Sequence, residues 1–216
     1  MRLPQRAVLL LTAAVLCVAG CSTSGGVAAN SAGPATATAT ATPPPAIQSP
    51  AAPVTFTFPD DRLSFTHPAG WRVEHDQVST SPSVETATVL DDAGKQQINI
   101  YYSQVGDAGA GPAARFLLEV DPVPGLVGRT VPTPHSSFYV DHVNGAVQYR
   151  MGLTAGLPVS PDGKIQAAPI MLGDRILAAD VLFTGEPFAN DDAAKAWYWG
   201  AEGQTLKAVL MSFSYR

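Results

Sequence analysis

The residue with the most specific chemistry in this chain is Cys21, which closes the run Val18-Ala19-Gly20-Cys21. Arg2 and Arg6 precede an apolar stretch from Ala7 to Val18. A thiol set behind small residues at the end of such a leader is placed to take a diacylglyceryl group as a thioether. Cleavage before it would leave Cys21 as the first mature residue. The apolar stretch is shorter than the roughly 20 residues that a spanning helix needs. The two arginines are not adjacent, which predicts Sec export over a twin-arginine route. Soluble secretion with a cut near Ala19 is the alternative, but it has no use for a cysteine at this point.

The other reactive side chains are scattered. His67, His75, His135 and His142 do not pair with another His, Cys or Glu at helical metal-ligand spacing. The densest polar cluster, Glu74-His75-Asp76, is expected at a solvated strand end, and Asp141-His142 sits where turn polarity is expected anyway. The sequence has no Gly-x-Ser-x-Gly elbow, Ser-x-x-Lys, His-Glu-x-x-His or phosphate-binding loop. These residues predict no catalytic set, no metal and no cofactor. Aromatic residues are more suggestive. Tyr101 and Tyr102 end a predicted strand, and Trp197 and Trp199 lie on a predicted closing helix. Residues two apart on a helix point about 200° away from each other, so both tryptophans cannot face one core equally. Either one is exposed as part of a recognition surface for a glycan, lipid or protein, or both pack under loops. Trp197, Trp199, Tyr101 and Tyr102 are thus the candidate binding surface.

Loss of residues 1–20 removes Arg2 and Arg6 and leaves 11 basic against 18 acidic side chains, a net charge of −7. So weakly charged and acidic a chain has no electrostatic footprint for nucleic acid or anionic lipid, both of which want clustered Lys and Arg. Cys17 leaves with the leader and Cys21 becomes a thioether, so no disulfide or thiolate metal site is available in an oxidising compartment. Ser22 to Val54 contain neither a charged nor an aromatic residue, and Ala35 to Thr42 alternate Ala and Thr before Pro43-Pro44-Pro45. Such a segment cannot bury enough apolar area to offset its ordering entropy. As a coil it would span about 30–35 Å, lifting a folded unit off a bilayer. Thr beside Pro suits either an O-glycosylated stalk or a plain spacer.

Elements begin at residue 55. Phe56 and Phe58, then Leu63 and Phe65, alternate with polar residues around the turn Pro59-Asp60-Asp61. Pro68-Ala69-Gly70 precedes another alternating stretch, Trp71 to His75, with Trp71 expected in the core. Val84–Leu90 and Gln96–Tyr102 flank Asp91-Asp92-Ala93-Gly94 as a hairpin. Phe116, Leu117 and Val120 share a helical face, which predicts a helix over Pro112–Val120 stopped by Asp121-Pro122. A surface loop spans Pro122 to Ser136. Phe138–His142 and Ala146–Thr154 flank Asn144-Gly145, a strong hairpin signal, with Val147, Tyr149, Met151 and Leu153 on one face. Ile165–Leu172 and Arg175–Thr184 flank Gly173-Asp174, with Leu177, Ala179, Val181 and Phe183 on one face and Pro169 marking an edge or a bulge. Asn190 caps a helix that runs to Trp199, Gly200 and Gly203 interrupt it, Gln204–Leu210 is helical again, and Met211, Phe213 and Tyr215 form a last strand. The sum is an α+β domain over residues 55–216: antiparallel sheet built from hairpins with two or three flanking helices.

Leu63-Ser64-Phe65-Thr66-His67-Pro68-Ala69-Gly70-Trp71 resembles the opening of the PsbP-like domain, where a strand runs into P-x-G-W. Gln204 to Phe213 resembles that group's helix-then-strand ending. The leader, linker and domain together resemble LpqN-type actinobacterial lipoproteins, whose lipobox matches Val18 to Cys21. The resemblance implies a sheet flanked by helices on the extracytoplasmic face of the cell membrane, and it carries over no catalytic residues. The expectation is a lipid-anchored, non-catalytic binding or assembly module with an envelope partner. A carrier of a small lipid or glycan, held between sheet and helix, is the second expectation, and a cell-envelope hydrolase the third.

Overall fold

The computed structural model describes residues 51–106, 114–143, 145–159, 168–185 and 188–216. They belong to the compact unit Gln48–Arg216. No helix among them is long and apolar enough to cross a membrane. The architecture is α+β, with two antiparallel sheets and two helices.

Strands β1 (Val54–Thr57), β2 (Leu63–His67) and β11 (Ser214–Tyr215) form a small sheet with β2 in the middle. In β2 the alternation is literal: Leu63, Phe65 and His67 are buried while Ser64 and Thr66 are half-buried. The second sheet holds β3 (Arg72–Thr80), β4 (Ser83–Leu90), β5 (Gln96–Ser103), β6 (Ala114–Pro122), β7 (Pro134–Val143), β8 (Ala146–Ala155), β9 (Ile170–Leu172) and β10 (Arg175–Val181). Its order is β3-β4-β5-β10-β8-β7-β6, and β9 pairs with β10. Helices α1 (Asp191–Trp199) and α2 (Ala201–Met211) close the chain before β11.

Three expected hairpins are present in register, with Leu90 leading into the β4–β5 turn, Val143 opposite Ala146, and Leu172 opposite Arg175. Gly145 and Gly173 take the positive φ that these turns require, +81° and +64°. Asn144 and most of the stretch 165–169 lie outside the described residues, so the expected strand Ile165–Leu172 is seen only over Ile170–Leu172. Pro169 just precedes β9, which pairs only with β10 and so lies at an edge.

Residues 112 and 113 of the expected helix lie outside the described residues, and from Ala114 on it is a strand, β6, paired along its length with β7. A bulge between Leu117 and Glu119 inserts one extra residue and shifts the alternation. That spaces the apolar residues as a helix would, and pairing with β7 overrides the local pattern. Among the described residues the flanking helices are therefore two. Gly203 does not interrupt α2 but lies buried inside it, and Met211 ends that helix instead of opening the last strand.

One apolar cluster joins all of these elements. Ile98, Ile100, Val89, Ala179 and Met151 on one face of the large sheet meet Leu63 and Phe65 of the small sheet, Phe58 of its β1–β2 connection, and Tyr198, Leu206 and Leu210 of the helices. Phe138 of β7 stacks on Tyr198 of α1 with centroids 5.2 Å apart and planes at 4°.

Candidate functional site

The aromatic residues do not form one surface. Tyr102 is fully buried, and its hydroxyl donates to Asp60 Oδ2 at 2.8 Å. Burial first, then that bond and the Asp60 charge, hold its pKa well above the tyrosine norm. The Arg175 guanidinium lies 4.6 Å over the ring and pairs with Glu85, which is 1 % exposed. His75 Nε2 is 3.0 Å from the same Glu85. His75 thus sits mid-strand against a buried carboxylate, not at a solvated strand end, because β3 runs on to Thr80. The group Asp60, Tyr102, Arg175, Glu85 and His75 is internally satisfied and fastens the small sheet to the large one. Tyr101 is half-buried and donates to the Val105 carbonyl at 2.6 Å.

Asp141 is likewise buried: Arg115 holds it through bonds of 2.6 and 2.7 Å, and Arg150 Nε approaches at 3.5 Å. His142, beside it, is exposed with Phe116 edge-on at 5.4 Å. Among the described residues, no three His, Cys, Asp or Glu side chains are grouped to hold a metal ion.

The two tryptophans part as their spacing requires. Trp199 is 58 % exposed, with its indole N–H 3.3 Å from Glu119 Oε1 and the Lys207 ammonium 5.4 Å from the ring. Trp197 points to the large sheet and lines a half-open cleft of about 540 Å³.

That cleft follows from how β8 and β10 meet. They are paired at one position, Gly152 opposite Asp180. A Cβ at Gly152 would fall 2.6 Å from the Ala179 carbonyl oxygen and 2.7 Å from Asp180 Oδ1, so only glycine lets the strands come this close. Away from this point Val147 and Tyr149 of β8 stand on one side of the cavity. Val181, Leu182 and Phe183 stand on the other. Lys95 and Gln97 reach in from the start of β5, and Leu206 and Glu202 from α2. Asp91 in the β4–β5 turn positions this corner. Its carboxylate accepts from the Lys95 backbone N–H at 2.8 Å and from Gln97 Nε2 at 2.7 Å. The Lys95 bond, ahead of the Gln97 one, keeps the Asp91 carboxyl below its ordinary pKa.

The apolar lining is an edge-to-face cluster. Trp197 lies 5.1 Å from Phe183 and 5.3 Å from Phe188, and Tyr149 meets Phe188 at 5.1 Å and 87°. Each such pair adds about 0.5–1.5 kcal/mol beyond its burial, so the wall is preformed. The Trp197 N–H donates to Glu202 Oε2 at 2.9 Å. Asn190, as expected, caps α1 by accepting from the Ala193 N–H at 2.8 Å, which fixes the helix that carries Trp197. The Tyr149 hydroxyl donates to Asp191 Oδ1 at 2.8 Å. Beyond Tyr149 and Phe188 lies an adjoining hollow of about 510 Å³, lined also by His142, Val147 and Asp192.

Trp197 alone of the four candidate residues lines the cleft. Tyr149 and Phe183 had been placed on apolar strand faces, without a sign that those faces would stand apart. Phe188, Lys95, Gln97 and Arg150 carry no local signal, since only the non-local meeting of β5, β8 and β10 gathers them. No family model, curated protein or solved structure matches the chain.

Proposed function

We propose that this chain is a lipid-anchored, extracytoplasmic binding module whose ligand occupies the cleft between β8, β10 and the helices. The cleft carries the proposal: about 540 Å³, within the usual size for a small-molecule site, with aromatic walls and a few polar groups at the rim. Val18 to Cys21 would supply the anchor and Ser22 to Pro53 the spacer, so the domain would stand off the outer face of the cell membrane. The sequence carries none of the common hydrolase or nucleotide-binding motifs, and the module is read as non-catalytic. The PsbP-like assignment belongs to the same proposal. Its support is the turn Pro68 to Trp71, closed by the Trp71 N–H on the Pro68 carbonyl at 2.9 Å, and the order α2 then β11 at the end.

The test is mass spectrometry of the chain expressed in an exporting host. The lipidated form should begin at Cys21 and carry acyl mass on its first residue. The chain from Ser22, exported behind a cleavable leader and gently purified, should show under native conditions a discrete extra mass that denaturation removes. Trp197→Ala should lose that mass. A bare protein that also fails to shift apolar fluorescent probes would defeat the proposal.

A second observation favours a protein partner at a different place. β6 is an edge strand of the large sheet and exposes Phe116 (58 %) and Leu117. An open edge with apolar side chains invites strand addition. Crosslinking on intact cells through residue 116 would find that partner.

A further inference from the structure

The ligand class can be narrowed from which polar groups in the cleft are still available. Resting on the proposal above, we infer that the cleft takes a single-chain anionic amphiphile. Its acidic head would lie at Lys95, and its chain would run over Trp197 toward the pair Tyr149–Phe188.

The polar groups around the cleft are largely engaged with each other. Gln148 Oε1 accepts from Arg150 at 2.9 Å, Glu202 from Trp197 at 2.9 Å, Asp91 from Gln97 at 2.7 Å, and Asp191 from Tyr149 at 2.8 Å. A sugar must exchange its hydroxyl–water bonds for bonds to the site, and breaking pairs already made gives little net return. An apolar chain asks for none of them. The charged side chains lining the cleft are Lys95, Arg150 and Glu202. Glu202 holds the indole, whereas Lys95 is exposed and, among the described residues, pairs with no carboxylate. Arg150 shares with Gln148 and Asp141 the sheet face opposite Tyr149 and is engaged by both, with half of its side chain exposed. The chain is acidic overall, so an uncompensated cation at the mouth of an aromatic cleft is a local reversal of sign. The volume admits one chain, and Tyr149 with Phe188 closes its inner end against the adjoining hollow. Chain length is therefore selected at that partition.

The experiment titrates the chain from Ser22 with saturated fatty acids of increasing length, lysophosphatidic acid, and fatty alcohols of equal length, following tryptophan fluorescence. Affinity for the acids should rise about fourfold per added methylene, as each is buried, and then level off. Phe188→Ala should move that plateau to longer chains. Lys95→Gln, at an exposed position, should weaken the acids by about threefold to fivefold and leave the alcohols unchanged. Preference for the carboxylate or for the phosphate monoester separates a free fatty acid from a lipid fragment as the source. Equal binding of acids and alcohols would overturn the head-group assignment, and a plateau unmoved in Phe188→Ala would overturn the partition. Binding of neutral oligosaccharides with no response to acids would overturn the amphiphile while leaving the cleft a ligand site. No response to any probe, with no native ligand mass, would remove both.

Discussion

Tyr149 is the residue at which the proposed ligand site and stability meet. Burial first, and then its bond to the Asp191 carboxylate, pushes its hydroxyl from the usual 10 up to about 12. In the unfolded chain the phenol ionises near its ordinary pKa. The contribution is therefore whole below pH 10 and is lost as pH rises to about 12. Ultraviolet difference titration should show one tyrosinate forming near pH 12 that Tyr149→Phe lacks, and alkaline unfolding of that variant should be less steep from pH 10 to 12. Identical curves would mean that Asp191 does not hold the proton. At this scale the sequence showed part of the site. The two-residue spacing of Trp197 and Trp199 required opposite orientations, and the alternation around Met151 put Tyr149 on the inner face. Tyr102 was a different matter, because strand position alone could not distinguish a surface tyrosine from one buried over Arg175.

At the scale of elements, the α1–α2 junction depends on Gly203. A Cβ there would lie 2.5 Å from the Tyr198 Cα and carbonyl oxygen and 2.6 Å from the Trp197 carbonyl oxygen. In an exposed helix Gly→Ala stabilises by about 1 kcal/mol. Here the sign should reverse, with Gly203→Ala losing about 1–3 kcal/mol in urea unfolding because backbone, not a movable side chain, stands in the way. A neutral or stabilising result would mean that the helices can slide apart at no cost. Gly203 looked like a breaker in sequence because composition does not distinguish a glycine that ends a helix from one that lets a neighbour approach. The β6 misreading has a similar cause. Alternation is a reliable strand signal only while the register is continuous, and Leu118, the extra residue of the bulge, falls in the middle of the pattern. The hairpins were legible since turn and strands lie within one window. The order β5-β10-β8 was not, because no local feature encodes which distant strands become neighbours.

For the whole molecule, the single paired position between β8 and β10 divides the large sheet into two sets of strands. The β3-β4-β5-β10 set is tied to the small sheet by the Asp60–Arg175–Glu85 ionic group, and the β8-β7-β6 set is covered through Phe138 and Tyr198 by α1. Across most of the sheet each strand is knitted to the next by a ladder, but here one rung and the shared apolar cluster do the joining. Such a sheet should behave as two panels on a hinge. Native-state amide exchange should then show two protection classes, with β8-β7-β6 opening below the global unfolding free energy. Gly152→Ala should widen the gap between the classes, and ligand in the cleft, which touches both panels, should close it. A single uniform class would mean that the apolar cluster alone welds the panels. With a hinge there, the capacity of the cleft would be a breathing quantity, and occupancy would be read out as stiffness far from the ligand, at the β6 edge.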